Sequence, residues 1–196
     1  MPRPGRWLTF ANGLTLLRLL AALPLALAVL TGASELAAAL FALAVATDFA
    51  DGYAARRLEN ASARGAFADH AVDAIFVSVG SGALAYAGQL PVALPPLIAV
   101  AFAQYALDSR LTTVRGLRPS SLGRWNGIGY YVALGVPVVR DGLGLAWPGA
   151  EFVSVLGWLL VATTAASIAD RLLISWRALR RPPDSPGAGR AGRWRR

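Results

Sequence analysis

"DFADGYAARRLENASARGAFADHAVDAIF", residues 48–76, gathers Asp48, Asp51, Asp69 and Asp73 within 26 positions of a chain that is otherwise strongly apolar. Of its 196 residues, 56% are hydrophobic and 15% charged, and the mean hydropathy is +0.49. What lies on either side of this stretch decides the fold. Charge is almost absent from residues 14–30, 36–45, 75–86, 93–106, 128–139 and 152–168. Crossing a bilayer takes about 20 mostly apolar residues in a helix. Extending each run to its flanking turn signals predicts six transmembrane helices over 10–31, 34–56, 66–88, 92–110, 126–147 and 151–175. The first could pass for a secretory signal, but five more spans follow, so it reads as a retained helix. The expected fold is an all-α, polytopic membrane protein. Its membrane catalytic domain covers 1–177, and a disordered basic tail covers 178–196, which is rich in Pro, Gly and Arg.

The basic residues give the orientation. All 19 are arginine, and the net charge is +8. In a soluble chain such a balance suggests nucleic acid; here its placement excludes that reading. Arg3 and Arg6 precede span 1, Arg56, Arg57 and Arg64 join spans 2 and 3, and Arg110, Arg115, Arg118 and Arg124 join spans 4 and 5. Seven more, from Arg177 to Arg196, follow span 6. The other three links carry only Arg140. An even number of spans puts every basic segment on one side, which the positive-inside rule makes cytoplasmic, with both termini inside. The tail's arginines can also meet anionic headgroups. With no cysteine, disulfides and thiolate metal sites are excluded.

Helical spacing then gathers the aspartates. Asp48 and Asp51 are three apart, with Gly52 and Ala55 continuing that face; Asp69 and Asp73 are four apart, with Gly65 four before Asp69. The polar linker "RLENASAR", 57–64, makes spans 2 and 3 an antiparallel hairpin. Asp48 and Asp73 each lie about 12 Å inside its cytoplasmic bend, with Asp51 and Asp69 shallower. The four carboxylates are therefore expected to meet just inside the membrane face.

An Asp at the centre of a transmembrane helix costs about 2.5–3.5 kcal/mol, less near the surface. Four clustered anions also repel one another and need cations or protons. All-oxygen ligation suits hard divalent ions such as Mg²⁺, Mn²⁺ or Ca²⁺. Four carboxylates can hold a pair of them, an arrangement suited to phosphoryl displacement. Arg56 and Arg57 stand beside them, and guanidinium pairs well with phosphate. The blander readings are packing for the glycines and topology for Arg57 and Arg64. His70 is turned from the Asp69–Asp73 stripe by about 100° and reads as a packed or interfacial residue rather than a ligand.

The stretch spells Asp48-x₂-Asp51-Gly52-x₂-Ala55-Arg56-x₈-Gly65-x₃-Asp69-x₃-Asp73. In every fixed position it resembles the signature of the CDP-alcohol phosphotransferase (CDP-alcohol phosphatidyltransferase) family, and the six-span plan resembles that family too. The resemblance implies transfer of a substituted phosphoryl group from a CDP-alcohol, often CDP-diacylglycerol, to a second alcohol, with release of CMP. It implies that Asp48, Asp51, Asp69 and Asp73 hold two divalent cations, Mg²⁺ or Mn²⁺, and that Asp73 is also the general base. Asp48, Gly52, Ala55, Gly65 and Asp69 would line the cytidine pocket and Arg56 would pair with the diphosphate. It further implies a homodimer. "ANGLTLLRLLAALP", 11–24, is similar to the family's first helix through Asn12, Thr15 and Arg18. Arg18 lies too deep to be a topology charge and either pairs with a carboxylate or snorkels. "RPSSLGRWN", 118–126, resembles a Ser-x-x-Gly-Lys element with Arg124 in place of Lys, and "DAIFV" after Asp73 departs from the Asp-Lys of many members.

Arg110, Arg115, Arg118 and Arg124 at the cytoplasmic mouth favour an anionic acceptor, glycerol 3-phosphate or inositol phosphate, with phosphatidylglycerol as a further option. The rival of another class is a divalent-cation or proton-coupled transporter. Against it, no inverted repeat is evident and the acids are shallow. A pseudoenzyme that binds CDP-lipid without turnover gains no support from an intact motif. The expected location is a bacterial inner membrane, with the site facing the cytoplasm and in contact with membrane lipids.

Overall fold

A computed structural model describes residues 10–58, 63–115 and 121–180. They form six helices: α1 (Phe10–Leu30), α2 (Ser34–Leu58), α3 (Ala63–Tyr86), α4 (Leu94–Arg115), α5 (Ser121–Gly142) and α6 (Ala150–Arg180). No strand occurs among the described residues. Each helix falls on one of the apolar runs. With 21 to 31 residues apiece, all exceed the ~30 Å of a hydrocarbon core at 1.5 Å per residue. Composition is more selective. Among the described residues, two helices hold a stretch both long and apolar enough to cross a membrane, Gly13–Leu30 and Ala150–Ile174. In α4 the apolar stretch is shorter, Leu94–Leu107, and α2 carries Glu35, Asp48, Asp51, Arg56 and Arg57 along its length. Residues 178–180, at the start of the expected tail, are helical; residues 181–196 lie outside the described residues.

The helices pack as a closed bundle. Around it the order is α1, α3, α4, α6, α5, α2 and back to α1, with α3 also touching α5 across the middle. In α1, Arg18, Ala21, Ala22, Leu25, Ala26 and Ala28 are buried, a stripe that returns once per helical turn. Its other faces are leucine as well, Leu20 and Leu23 being 63% exposed. A helix apolar on every side has no solvent face in water. Tight approach comes from small residues. A Cβ on Gly80 of α3 would meet Leu25 of α1 and Leu134 of α5 within 2.9 Å. Gly80 thus lets α1 and α5 close on α3 from both sides.

Three helices stop by the same device. Gly32, Gly88 and Gly144, after α1, α3 and α5, have φ of 73°, 75° and 62°. After α1, Gly32 N–H bonds to Val29 O (3.3 Å) and Ala33 N–H to Ala28 O (2.8 Å), the pairing of a Schellman cap. The other two ends repeat it. Beside two of those caps, Arg140 donates to Asp141, Gln89 Oε1 (3.0 Å) and the Pro148 carbonyl (3.2 Å), while Gln89 donates to Asp141 Oδ2 (2.9 Å). The arginine that interrupted the expected charge asymmetry is therefore paired with its own neighbour.

Candidate active site

Arg18 organises the opposite end of the bundle. Its side chain is fully buried between α1, α2 and α3. Nη2 meets Asp48 Oδ1 at 3.1 Å, Nη1 meets Asp69 Oδ1 at 3.0 Å, and Nη1 also bonds Asp73 Oδ1. Of the two roles open to Arg18 in the sequence, pairing with carboxylate is the one realised, three times over. The physical reason is cost. A buried guanidinium without a counter-charge is strongly unfavourable, and so are clustered carboxylates without a cation.

Two hydroxyls complete the arrangement. Thr15 Oγ1, one turn before Arg18, approaches Asp69 Oδ1 at 3.4 Å. Tyr131 of α5 donates to Asp73 Oδ1 at 2.7 Å, a length typical of a hydroxyl on a charged acceptor. Its ring stacks on Phe76, with centroids 6.2 Å apart. The expected hairpin geometry is thus met by Asp48, Asp69 and Asp73, which converge from α2 and α3 on one guanidinium. These groups lie six to ten residues from the helix ends at one side of the bundle, about 9–15 Å deep.

Asp51, Gly52, Ala55 and Arg56 belong to α2 and Gly65 to α3, but their side-chain positions lie outside the described residues. The same holds for Arg110 and Arg115 of α4, and for Arg118 altogether. Arg124 is exposed near the start of α5. Beside it, Arg171 of α6 reaches Gly123, its Nη2 3.0 Å from where a Cβ would stand. Neither Tyr131's bond to Asp73 nor Arg171's approach to Gly123 is legible in the sequence. Each residue sits inside a span whose neighbours only packing reveals.

The carboxylates suit a divalent cation. The hydrogen bonds to Asp69 and Asp73 fall on their Oδ1 atoms, and Arg18 approaches Asp48 through Oδ1 as well. The carboxylate oxygens of Asp69 and Asp73 are hard donors of the kind such an ion takes. His70 is exposed and stacks on Tyr105, with centroids 5.6 Å apart. It also brings a ring nitrogen within 4.8 Å of the Asp69 and Asp73 oxygens, so Asp69, His70 and Asp73 form a group that could hold a metal.

A profile of the CDP-alcohol phosphatidyltransferase family matches residues 8–169, most of the chain. The chain belongs to that family. Its enzyme class is therefore that of a CDP-alcohol phosphatidyltransferase, which moves a phosphatidyl group from a CDP-alcohol in phospholipid biosynthesis. The family uses divalent cations, which agrees with the Asp69–His70–Asp73 group. Family and apolar helices together point to a membrane protein. A comparison with curated proteins returned no match. The matched segment spans all six helices except the end of α6, so both carboxylate pairs, Arg18 and Tyr131 lie within it.

Proposed function

We propose that this phosphatidyltransferase is an integral membrane enzyme with six spans, both termini and the site on the cytoplasmic side. Its catalytic unit would cover 1–177, ahead of a basic tail, and it would work as a homodimer in a bacterial inner membrane. The donor is CDP-diacylglycerol and the acceptor glycerol 3-phosphate. One observation carries the reading: three motif carboxylates from two helices share the buried Arg18 just inside one end of the bundle. A site at that depth leaves acyl chains in the bilayer while the headgroup meets water-soluble substrates.

Asp48, Asp51, Asp69 and Asp73 would hold two divalent cations, Mg²⁺ or Mn²⁺, which supply positive charge against the diphosphate. Arg56 would pair with the diphosphate, and Asp48, Gly52, Ala55, Gly65 and Asp69 would line the cytidine pocket. Asp73 takes the proton of the acceptor hydroxyl. The freed oxygen attacks the phosphorus that bears diacylglycerol, and the bond from that phosphorus to the bridging oxygen breaks. CMP leaves with the bonding electrons, and Asp73 returns its proton to water. A positioned base contributes roughly 10²–10⁴-fold to such a step. The exposed Arg124 and nearby Arg171, with Arg110, Arg115 and Arg118, favour an acceptor that carries phosphate.

The test is CMP release by purified protein in micelles with CDP-diacylglycerol and Mg²⁺ or Mn²⁺. Glycerol 3-phosphate, inositol phosphate, serine and phosphatidylglycerol would be compared as acceptors. Release with glycerol 3-phosphate that vanishes in Asp73→Asn is the expected result. Release with another acceptor alone would replace the acceptor but keep the reaction. No release with any of them would count against CDP-diacylglycerol as donor.

A further inference from the structure

The position of Tyr131 is not accounted for by the reaction as described. Its hydroxyl comes from α5, an element that carries none of the motif, and it lands on the same oxygen of Asp73 that Arg18 holds from α1. A carboxylate rotates easily about its last torsion, which has broad, roughly two-fold preferences. One donor would leave the plane of Asp73 loosely set. Two donors on one oxygen, from helices on different sides of α3, fix it.

We propose that Tyr131 is a positioning residue for phosphatidyl transfer. With Arg18 it occupies Asp73 Oδ1, and so leaves Oδ2 as the oxygen that takes the alcohol proton and faces the cation. This rests on the reading of Asp73 given above. The Tyr131 ring is anchored by Phe76, and the Gly80 contact lets α5 come close enough for the hydroxyl to reach. Outer groups that orient a ligating carboxylate commonly matter 10–100-fold for metal affinity or activity.

The experiment compares wild type with Tyr131→Phe, which keeps the ring and removes only the hydroxyl. Tyr130→Phe is the control. Its hydroxyl pairs with Thr164 of α6 at 2.8 Å, so the same atom is lost away from the carboxylates. Two readouts are taken: Mn²⁺ affinity without substrate, by calorimetry or electron paramagnetic resonance, and kcat and KM for CMP release. For Tyr131→Phe, Mn²⁺ affinity is expected to weaken roughly 10-fold, and kcat to fall roughly 10- to 100-fold with both KM values within about 2-fold. Tyr130→Phe should match wild type in both. Unchanged Mn²⁺ affinity and kcat in Tyr131→Phe would overturn the proposal. So would a fall in kcat that follows a lowered melting temperature while Mn²⁺ affinity stays at the wild-type value.

The two readouts separate this proposal from the proposed reaction. Wild type that releases no CMP but binds Mn²⁺ more tightly than Tyr131→Phe would sink the chosen donor and keep the positioning role. Wild type that binds no Mn²⁺ would overturn the positioning role directly.

Discussion

Arg18 has no exposed side-chain surface, yet it touches three carboxylates that are 47%, 30% and 25% exposed. Removing it would leave those anions facing one another without their cation. Breaking a buried ion pair by deleting one partner costs about 3–5 kcal/mol. Because the carboxylates here are partly exposed, Arg18→Met should lie near the lower figure. The expected outcome is a clear drop in melting temperature in metal-free micelles, with part of the loss recovered by Mn²⁺, since an ion that binds the folded state stabilises it. A melting temperature equal to wild type without metal would mean that Arg18 does not hold the cage together. Arg18 was visible in the sequence as a charge too deep for topology. Pairing with a carboxylate was one of its two expected roles, but which carboxylates it meets was not legible, because helical spacing places residues on a face and says nothing of which helix lies opposite.

At the scale of the helices, small residues set how close the axes come, and two glycines make a contrast. A Cβ on Gly80 would meet only the ends of the Leu25 and Leu134 side chains, which can turn aside. A Cβ on Gly142 would meet Ala38 Cβ and the backbone carbonyl oxygen of Ser34 at 2.8 Å, and a helix backbone cannot turn aside. Overpacking typically costs about 1–3 kcal/mol. Gly142→Ala should therefore lower the melting temperature distinctly more than Gly80→Ala, as measured side by side in detergent. Equal shifts would show that the start of α2 moves freely against the end of α5. The helices themselves were legible: each apolar run became one, and the cap glycines lie just beyond the runs. The extension of α6 to Arg180 was not, since Arg177 and Arg180 look the same in a helix as in a basic tail.

The proposed topology gives the bundle two unlike ends. The capped turns after α1, α3 and α5 lie at one end and the carboxylates at the other. Arg140, the basic residue near the capped end, is paired with Asp141, so it adds little net charge there. On the proposed six-span topology, the positive-inside rule would put the carboxylate end in the cytoplasm. A chain without cysteine offers a clean test. In intact cells Thr31→Cys and Leu143→Cys should react with a membrane-impermeant maleimide, whereas Arg124→Cys should react only after permeabilisation. The reverse pattern would place the site outside and remove soluble cytoplasmic acceptors from consideration.

The helices, the pairing of acids on two of them, the asymmetry of charge and the family were all legible along the chain. Those depend on local periodicity and on composition, which are written along the chain. It takes the packed helices to show that Arg18 is the shared counter-cation of Asp48, Asp69 and Asp73, that Tyr131 reaches Asp73, and that Arg171 lies beside Gly123. Each of these joins residues from different helices. Such contacts follow from how close the helix axes come, and that distance is set by glycines and alanines whose packing partners no spacing reveals.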